Sequence, residues 1–398
     1  MTEQKITPWT VEAEKDGEKM TTINYDKIIS QFGCEKCTQG LFREFQEATG
    51  KPLHRFLRRD LAFAHRDFEK VIECAKKNEE FFIYTGRGPS SESMHLGHAM
   101  PFIFCKYLQD TFGAPLVIQI TDDEKFLCKN ITLDNSREYG RNNIKDIIAF
   151  GFDPDLTYIF SNFESSHVFM ENILKTSKSI SLNEAMKVFG FDESTNIGMI
   201  DFPSKQIAAG FSSSYPFLKK NMLCLIPCAV DQDPFFRLAR DKCKALGERK
   251  PASLYLGLLP DLQGTNRKMS ASDQKSAIFL NDGPNDVENK INKLAFSGGK
   301  ETVEEHRRLG GDPSIDVAYQ YLRYFLEDDE ELLRLKEGYE KGAILSGEMK
   351  AYCIRVVQQF LEEYQRRRSE VTDEVVEQFK SLDKFKANLN EKLSKFKI

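Results

Sequence analysis

Short apolar runs alternate with stretches of helical pattern in the middle of this chain, and this alternation constrains the fold more than any other feature. The runs are FFIYTG (81–86), PLVIQITDD (115–123), LTYIFSN (156–162), NMLCLIPCAV (221–230), SLYLGLL (253–259) and SAIFL (276–280). Helix-compatible sequence lies between them at 91–111, at 135–150 and after Asp231, where Pro234 stands near a first helical turn. Strands that alternate with helices predict an α/β fold, in which crossover helices connect the strands of a parallel sheet. Ligands of such sheets bind beyond the carboxyl ends of the strands, near the point where the strand order reverses.

The regions on either side of this alternation are predicted to be helical. Residues 24–80 are read as helices because apolar residues recur there at near-helical spacing, namely Leu61, Phe68, Val71, Ile72 and Ala75. Residues 163–220 interrupt the strands with helices and the Ser-rich segment GFSSSYP, which indicates an insertion. From about residue 285 the pattern is helical again, and Thr372 is predicted to cap a last helix.

Composition and charge restrict the class of protein. The chain has 398 residues, 40% of them hydrophobic and 29% charged, which is typical of a globular protein with a large core. With a net charge of −5, the chain lacks the overall positive charge of many nucleic-acid binders. An RNA partner would therefore have to bind local basic patches of the surface. No apolar run approaches the roughly 18 residues of a membrane span. The polar N-terminus has no signal-peptide core, and we therefore expect a cytoplasmic protein without a membrane partner.

The cysteines indicate reduced thiols. Nine is an odd number, which argues against a framework of disulfides. Cys34 and Cys37 form a CxxC pair, but a zinc site would need two further ligands at similar spacing. An ordinary loop at the start of a helix is favoured for this pair, and no metal site in the protein is predicted.

The first cluster of polar residues is YTGRGPSSESMHLGH, residues 84–98. Gly86 and Gly88 allow a tight turn after the strand, and Ser90 or Ser91 is predicted to cap the helix that follows. A strand, a glycine turn and a helix N-terminus together make a site for an anion. The segment lacks the Gly-Lys-Ser/Thr of a Walker loop and the complete GxGxxG of a dinucleotide site.

His95 and His98 are three residues apart and therefore share one helix face. A metal site is disfavoured because HExxH is absent and no third ligand is evident. Two interpretations remain open from spacing alone. The imidazoles bind phosphate, or they are polar residues of the core.

The second cluster is Lys268-Met-Ser-Ala-Ser272, in the polar segment QGTNRKMSASDQK. Lys268 supplies positive charge, and Ser270 and Ser272 supply hydroxyl donors. Such a loop would suit a leaving pyrophosphate, where negative charge builds up during attack on an α-phosphate. Taken alone, it reads as a solvated loop.

Together the two clusters resemble the HIGH and KMSKS signatures of the class I aminoacyl-tRNA synthetases, present here as His95-Leu-Gly-His98 and Lys268–Ser272. The surrounding segments LVIQITDDEK, IPCAVDQDPFFR and AFSGGKETVEEHRRLGG are similar to the cytoplasmic tryptophanyl-tRNA synthetases of eukaryotic and archaeal type. The resemblance extends from about Pro8 to about Phe385. The lysine loop carries alanine in place of the family's second lysine, which makes help from Lys125 or Arg87 more plausible.

The resemblance implies a Rossmann-like catalytic domain and a set of site residues. His95, His98, Lys268 and Ser270 would be catalytic. The residues expected to bind ATP are Gly86, Arg87, Gly88, Ser90, Ser91, Gly97, Lys125, Met269 and Ser272. Those expected to bind tryptophan are Tyr84 and Gln119 at the indole N–H, and Glu124, Gln206 and Gln232 at the ammonium group. ATP is the implied substrate, with Mg²⁺ on its phosphates.

Gln119 is also a candidate substrate-binding residue for a physical reason. It is a polar residue in an otherwise apolar strand, so its side chain needs a hydrogen-bond partner. Its amide oxygen accepts, and the indole nitrogen of tryptophan only donates. The alternative is a contact between Gln119 and a neighbouring loop. Asp122, Asp123 and Asp231 are interpreted as helix caps rather than as Mg²⁺ ligands.

These observations predict a tryptophan–tRNA ligase. A tyrosyl-tRNA synthetase is the nearest alternative, although a phenol would call for an acidic acceptor. An HxGH nucleotidyltransferase without tRNA and a non-catalytic RNA-binding protein on the same scaffold are the others.

The predicted organisation comprises four regions. These are an N-terminal helical extension (1–80), a catalytic domain (81–280) with its insertion near 163–220, a helical anticodon-binding domain (281–370) and a C-terminal helix (371–398) that returns to the catalytic domain. The resemblance also implies tRNA(Trp) and tryptophan as partners, and a homodimer formed through the insertion. Arg355 and Arg366–Arg368 are candidate contacts to tRNA phosphates.

Overall fold

The computed structural model of the chain describes residues 5–6, 8–9, 11–12, 15–16, 19–20, 23–269 and 277–395. A seven-stranded sheet lies at its centre. In spatial order its strands are β5 (Glu35–Lys36), β6 (Ala62–Arg66), β11 (Ala252–Leu256), β10 (Leu223–Ala229), β7 (Phe81–Arg87), β8 (Leu116–Ile120) and β9 (Thr157–Ser161). Three small antiparallel pairs complete the strands: β1 (Lys5–Ile6) with β2 (Val11–Glu12), β3 (Lys15–Asp16) with β4 (Lys19–Met20), and β12 (Pro260–Asp261) with β13 (Gly264–Lys268).

Helices surround the sheet and form the C-terminal part of the chain. Before the insertion they are α1 (Tyr25–Phe32), α2 (Gln39–Thr49), α3 (Arg55–Arg58), α4 (Phe68–Lys77), α5 (Leu96–Phe112), α6 (Asp122–Cys128) and α7 (Leu133–Ile148). Between β9 and the end of the sheet they are α8 (Asn162–Ser165), α9 (Met170–Ser179), α10 (Leu182–Phe189), α11 (Ile197–Ala208) and α12 (Asp233–Leu246). The C-terminal helices are α13 (Pro284–Leu294), α14 (Val303–Leu309), α15 (Val317–Phe325), α16 (Asp329–Glu340), α17 (Ser346–Ser369), α18 (Asp373–Lys380) and α19 (Leu382–Lys395).

The sheet confirms the predicted α/β fold. The five strands from β11 to β9 are parallel, and β7 pairs with β8 from Ile83↔Leu116 to Arg87↔Ile120. The chain builds β7, β8 and β9 in one direction, then returns to place β10 and β11 on the other side of β7. The strand order therefore reverses between β7 and β10, and a ligand site is expected beyond the carboxyl ends of these two strands.

The N-terminal region is not purely helical, so the prediction of helices across 24–80 is wrong for two segments. Ala62–Arg66 is the strand β6, antiparallel to β11, and Glu35–Lys36 pairs with β6 in turn. Ala62–His65 are almost fully buried, as an apolar strand inside a sheet must be. Asp67 has a left-handed backbone conformation, with φ of 54°, and separates β6 from α4. The apolar spacing that predicts a helix belongs to α4, and it does not continue into the residues before Asp67.

Two further elements differ from the prediction. The helix expected from Ser91 begins at Leu96, and His95 rather than Ser90 or Ser91 is its N-cap residue. The segment 276–280 was expected to be a strand, and its described residues, 277–280, make an isolated bridge between Phe279 and His95 instead.

The two faces of the sheet bury different side chains because strand residues alternate between faces. In β8, Leu116, Ile118 and Ile120 face one apolar cluster, and Val117 faces the other. Gln119 has the parity of Val117, so it points to the face that also buries Tyr84 of β7.

The contacts of the C-terminal helices with the catalytic part of the chain include one near the end of α17 and one in α19. Near the end of α17, Tyr364 donates to the carbonyl of Asp146, and Arg368 donates to the Asp146 carboxylate at 2.7 Å. In α19, Phe385 packs against Tyr158 of β9. Thr372 caps α18 as predicted, by accepting a hydrogen bond from the Val375 N–H.

Candidate active site

A cavity of about 240 Å³ lies beyond the carboxyl ends of β7 and β10, where the strand order reverses. It is lined by most of the residues that the sequence singled out, which come from five separate segments. They are Tyr84, Gly86, Arg87, Gly88, His95, Gly97, His98, Glu124, Lys125, Gln206, Gln232, Lys268 and Met269. Ser90 lies in an adjoining cavity of about 530 Å³. Gln119 and Ser91 line neither one, and Ser270 and Ser272 lie outside the described residues.

The paired histidines form one wall of the cavity. Their rings stack with 3.4 Å between centroids, and the His95 N–H points to His98 Nδ1 at 3.4 Å. Within the described part of the chain, neither ring nitrogen of the buried His95 has a hydrogen-bond partner. Burial, together with the positive charges of Arg87 and Lys268, lowers the pKa of both histidines well below the usual range. In the free protein they are neutral imidazoles, which can donate or accept a hydrogen bond.

Arg87 is a buried cation at the end of β7. Its Nε donates to Asn143 Oδ1 at 2.9 Å, and Asn143 holds the glycine loop by donating to the carbonyl of Ser91. Burial lowers the pKa of Arg87 to about 10, which leaves the guanidinium charged at neutral pH. Its Nη2 has no hydrogen-bond partner among the described residues. A buried, charged donor without a partner suits an anionic ligand.

Lys268 reaches the cavity from the far end of the hairpin β12–β13. Its Nζ lies 2.6 Å from Asp231 Oδ2, at the carboxyl end of β10. The interpretation of Asp231 as a simple helix cap is therefore wrong, since its carboxylate pairs with Lys268. The backbone at Gly97 lies close to the residue that follows Lys268, because a Cβ on Gly97 would lie 3.5 Å from Met269 Cβ. The two signature segments, 170 residues apart, thus share one cavity.

The glycine turn passes directly over Lys125. A Cβ on Gly88 would lie 2.3 Å from Lys125 Cε and 2.8 Å from Glu124 Oε2. Lys125 Nζ is 2.9 Å from the Glu124 carboxylate. Glycine at position 88 therefore leaves the space that both side chains occupy.

The opposite end of the cavity is apolar with a few polar groups. Tyr84, which is 1% exposed, donates its hydroxyl proton to Gln119 Oε1 at 2.5 Å. Gln119 is fully buried behind Tyr84, and in this structure its amide contacts the side chains of Tyr84 and Asn162. Gln206 donates to Gln232 Oε1 at 3.2 Å, and both line the cavity. The apolar lining is formed by Met100, Ile226, Phe235, Phe236 and Leu256.

Sequence reasoning missed two groups of this site. Trp9, the only tryptophan of the chain, donates its indole N–H to Glu124 Oε1 at 3.3 Å and packs against Phe191 and Phe235. In the sequence, the one indication of its role is that an aromatic residue stands in a polar segment. Asn162, which accepts from Gln119 Nε2 at 2.8 Å, has no sequence signal beyond its position at a strand end. Asp123, interpreted as a cap, accepts from the Glu124 N–H in the first turn of α6 at 2.9 Å, and it also pairs with Lys205 at 2.7 Å.

Other kinds of site were searched in the same part of the chain. Among the described residues, no group of three or more His, Cys, Asp or Glu side chains is arranged to hold a metal ion. Cys34 and Cys37 are free thiols on either side of the two-residue strand β5, in the connection that leads to the start of α2, as predicted. No helix within the described ranges is both long and apolar enough to cross a membrane.

Comparison with known proteins agrees with this geometry. The family described as tRNA synthetases class I (W and Y) matches residues 76–362. The tryptophan–tRNA ligase of Encephalitozoon cuniculi is 57% identical over 385 residues, covering 97% of this chain and all of that protein. The cytoplasmic tryptophan–tRNA ligase of Schizosaccharomyces pombe is 49% identical, covering 95% of this chain and 97% of that protein.

Solved structures agree as well. The E. cuniculi tryptophanyl-tRNA synthetase bound to tryptophan superposes with a TM-score of 0.86 at 56% identity, covering 92% of this chain and all of that one. The chain therefore belongs to the class I tRNA synthetases of the tryptophan and tyrosine family, and these close relatives within it are tryptophan–tRNA ligases.

Proposed function

We propose that this protein is a tryptophan–tRNA ligase. In the first step the carboxylate of tryptophan attacks the α-phosphorus of ATP, which gives tryptophanyl-adenylate and pyrophosphate. In the second step the 3′-terminal ribose of tRNA(Trp) takes the tryptophanyl group and releases AMP. The observation that carries the proposal is one cavity with His95, His98 and Lys268 at one end and Tyr84 at the other. The identity to tryptophan–tRNA ligases over nearly the whole chain supports it.

The phosphate end stabilises negative charge. His95, His98, Arg87 and Lys125 would bind the triphosphate, together with the backbone of residues 86–91. Lys268 would exchange Asp231 for the departing pyrophosphate, where charge increases during the reaction. Further groups belong to the same proposal, namely Gly86, Gly88, Ser90, Ser91, Gly97, Met269, Ser270 and Ser272. Little covalent chemistry is required of the protein, which mainly positions reactants and supplies donors.

The amino-acid end recognises tryptophan. The apolar walls accommodate a flat aromatic ring, and Tyr84 with Gln119 would provide the acceptor for the indole N–H. Glu124, Gln206 and Gln232 would hold the ammonium group. Glu124 is now bonded to Trp9 and Lys125, so the substrate would replace one of these partners.

Mg²⁺ would arrive with ATP and neutralise phosphate charge. The two carboxylates that line the cavity, Glu124 and Asp231, are each paired with a lysine. This donor set fits an ion that the phosphate oxygens hold, with few protein ligands.

The remaining roles follow the family. Residues 81–280 would form the catalytic domain behind an N-terminal extension, and 281–370 would bind the anticodon. Arg355 and Arg366, an exposed arginine that pairs with Glu370, are then candidate phosphate contacts, whereas Arg367 and Arg368 bond to Ala149 and Asp146. The C-terminal segment, 371–398, would pack against the catalytic domain. The cytoplasm is the proposed location, as the names of the relatives suggest.

The proposed homodimer would form through the insertion. Large apolar side chains are exposed there, namely Met170, Leu174, Leu182 and Ile197. An exposed apolar patch of this kind is typical of a protein–protein interface.

The first experiment measures ATP–pyrophosphate exchange with each of the twenty amino acids, followed by charging of tRNA(Trp). Exchange with tryptophan alone, together with charging, is the expected result. Exchange with tyrosine, or exchange without charging of any tRNA, would overturn the proposal.

A variant assigns the role of the lysine loop. We expect Lys268→Ala to lower kcat for exchange about 100-fold, because the lysine stabilises the transition state more than the bound substrates. Tryptophan binding should change little. Lys77→Ala is the control, since Lys77 is an exposed helix lysine paired with Glu73. Equal loss of tryptophan binding and of exchange in Lys268→Ala would contradict the assigned role.

A further inference from the structure

A chain of buried hydrogen bonds runs from the surface to the amino-acid end of the cavity. Lys205 Nζ donates to Asp123 Oδ2 at 2.7 Å, and Asn162 Nδ2 donates to Asp123 Oδ1 at 2.8 Å. Gln119 Nε2 donates to Asn162 Oδ1 at 2.8 Å. The hydroxyl of Tyr84 then donates to Gln119 Oε1 at 2.5 Å. We call these five residues the amide relay.

In the amide relay Tyr84, Gln119 and Asn162 each donate in the direction of Asp123 and away from the cavity. A carboxylate paired with a lysine only accepts hydrogen bonds, so Asn162 must turn its NH₂ group to Asp123. Its oxygen then faces Gln119, which must in turn present its own NH₂ group. The ion pair thus fixes the orientation of two side-chain amides that could otherwise flip.

Burial makes this orientation costly to reverse. Gln119 is 0% exposed and Asn162 is 4% exposed, so water does not compete for their polar atoms. Flipping Gln119 alone would place its NH₂ group at the Tyr84 hydroxyl and oppose its oxygen to the oxygen of Asn162. Two buried groups would lose their partners at once, and such losses are costly.

The consequence at the cavity concerns the hydroxyl of Tyr84. Its single proton is used by Gln119, and the other protein group nearby, the carbonyl of Gln206 at 3.5 Å, is also an acceptor. The side of the oxygen that faces the cavity therefore offers a lone pair. An indole N–H, which only donates, matches this lone pair.

We propose that Asn162 and Asp123 are positioning residues for amino-acid specificity. They set the polarity of Gln119 and Tyr84, so that the site offers an acceptor to the indole N–H of tryptophan. They touch no substrate and act through Gln119 on the hydroxyl of Tyr84, which lines the cavity. This inference rests on the proposed function, because it assumes that tryptophan occupies the cavity.

The test compares tryptophan with β-(3-benzothienyl)alanine, in which sulfur replaces the indole N–H. ATP–pyrophosphate exchange gives kcat/KM for each substrate, and the ratio measures recognition of the N–H. In the unaltered protein we expect a clear preference for tryptophan. In Asn162→Leu we expect this preference to fall about tenfold, corresponding to one hydrogen bond, through a higher KM for tryptophan with little change in kcat.

A second variant covers the case in which Asn162→Leu fails to fold. Asp123→Ala removes the carboxylate that orients Asn162, one step farther from the cavity, and should lower the preference in the same direction. The double variant should lose no more preference than Asn162→Leu alone, because both changes release the same amide. Asn172→Leu is the matched control, since Asn172 donates to Ser213 and Ser214, which lie outside the amide relay.

The outcomes separate this inference from the proposed function. Absence of tryptophan-dependent exchange in the unaltered protein would overturn both. Exchange in the unaltered protein, with an unchanged preference in Asn162→Leu and in Asp123→Ala, would overturn the amide relay alone. A uniform loss of kcat for both substrates would show a merely structural role and would also overturn it.

Discussion

At the phosphate end of the cavity, burial determines which groups carry charge. Arg87 remains a cation although burial lowers its pKa to about 10, whereas burial, together with the charge of Arg87, lowers the pKa of His95 and His98 well below the usual range. The site therefore combines fixed positive charge with neutral imidazoles. The neutral rings can take up protons when a triphosphate brings negative charge beside them.

The first prediction concerns these protons. At about pH 6 the rings of His95 and His98 should be neutral in the free protein, whereas an ordinary imidazole with pKa about 6.5 is mostly protonated. Ring carbon shifts in NMR spectra measure this, with His95→Asn and His98→Asn to assign the signals. Addition of ATP should increase the protonated fraction, because nearby phosphate raises the pKa.

These lowered pKa values make the folding stability depend on pH. The folded pKa lies below the unfolded value, so the unfolded chain binds more protons below about pH 6.5. These two residues then contribute less stability as the pH falls. Rings that titrate near pH 6.5 in the free protein would contradict the prediction.

The second prediction concerns the glycine turn. In Gly88→Ala the new methyl group would overlap Lys125 Cε and displace the Lys125 ammonium from the cavity. We expect KM for ATP to rise about tenfold, as for loss of one charged hydrogen bond, with little change in melting temperature. Gly40→Ala is the control, because its Cβ would meet only Thr38 Oγ1 at an ordinary 3.6 Å. An unchanged KM for ATP in Gly88→Ala would remove Lys125 from the phosphate site.

At the scale of elements, pairing of residues 94–96 with residues 278–280 explains why α5 begins late. Met94 accepts from the Leu280 N–H through its carbonyl, and the Leu96 N–H donates to the carbonyl of Ile278. The segment before His95 is therefore extended beside residues 278–280. Ser90 and Ser91 resemble helix caps locally, but the helix can begin only where this pairing ends.

A glycine at the end of α14 gives the third prediction. Gly310 has φ of 69°, and a Cβ there would lie 1.8 Å from the carbonyl oxygen of Glu340, a backbone atom that cannot move aside cheaply. Gly310→Ala should lower the free energy of unfolding by about 3 kcal/mol. Denaturant unfolding measures the change.

The matched control is another glycine of the C-terminal helices. Gly347→Ala, at the start of α17, would meet nothing within 4 Å and should be neutral or slightly stabilising. A similar loss in both variants would mean that the close approach of Gly310 to Glu340 is not the cause.

At the scale of the whole molecule, α17 connects the C-terminal helices to both signature segments. Gln365 Nε2 donates to the carbonyls of Leu280 and Asp282, just after the lysine loop. Arg368 pairs with Asp146, whose other oxygen accepts from the Met94 N–H at 3.4 Å, just before His95. Through these contacts α17 is joined to residues on the N-terminal side of His95 and on the C-terminal side of the lysine loop.

The fourth prediction tests the proposed dimer. If the insertion forms the interface, the protein should elute with twice the chain mass in size-exclusion chromatography with light scattering. Leu174→Glu should shift it toward the single chain, because a carboxylate would be buried without a partner. Leu333→Glu is the control, at a leucine of comparable exposure on α16. A single-chain mass for the unaltered protein would contradict the dimer.

The sequence by itself determined the parallel strands, the crossover helices and the two segments that carry chemistry. These are local properties, because apolar runs, helical spacing and glycine turns are written in neighbouring residues. The strand β6 could not be predicted, because its five residues are read correctly only when β11 lies beside them.

The partners of polar side chains were likewise decided by the tertiary structure. Gln119 was recognisable as a buried acceptor, but its contacts with Tyr84 and Asn162 come from segments 35 and 43 residues away. Asp231 and Asp123 were read as caps because their lysine partners are distant in sequence. Hydrogen bonds and ion pairs depend on distances of about 3 Å, and only the folded chain sets those distances.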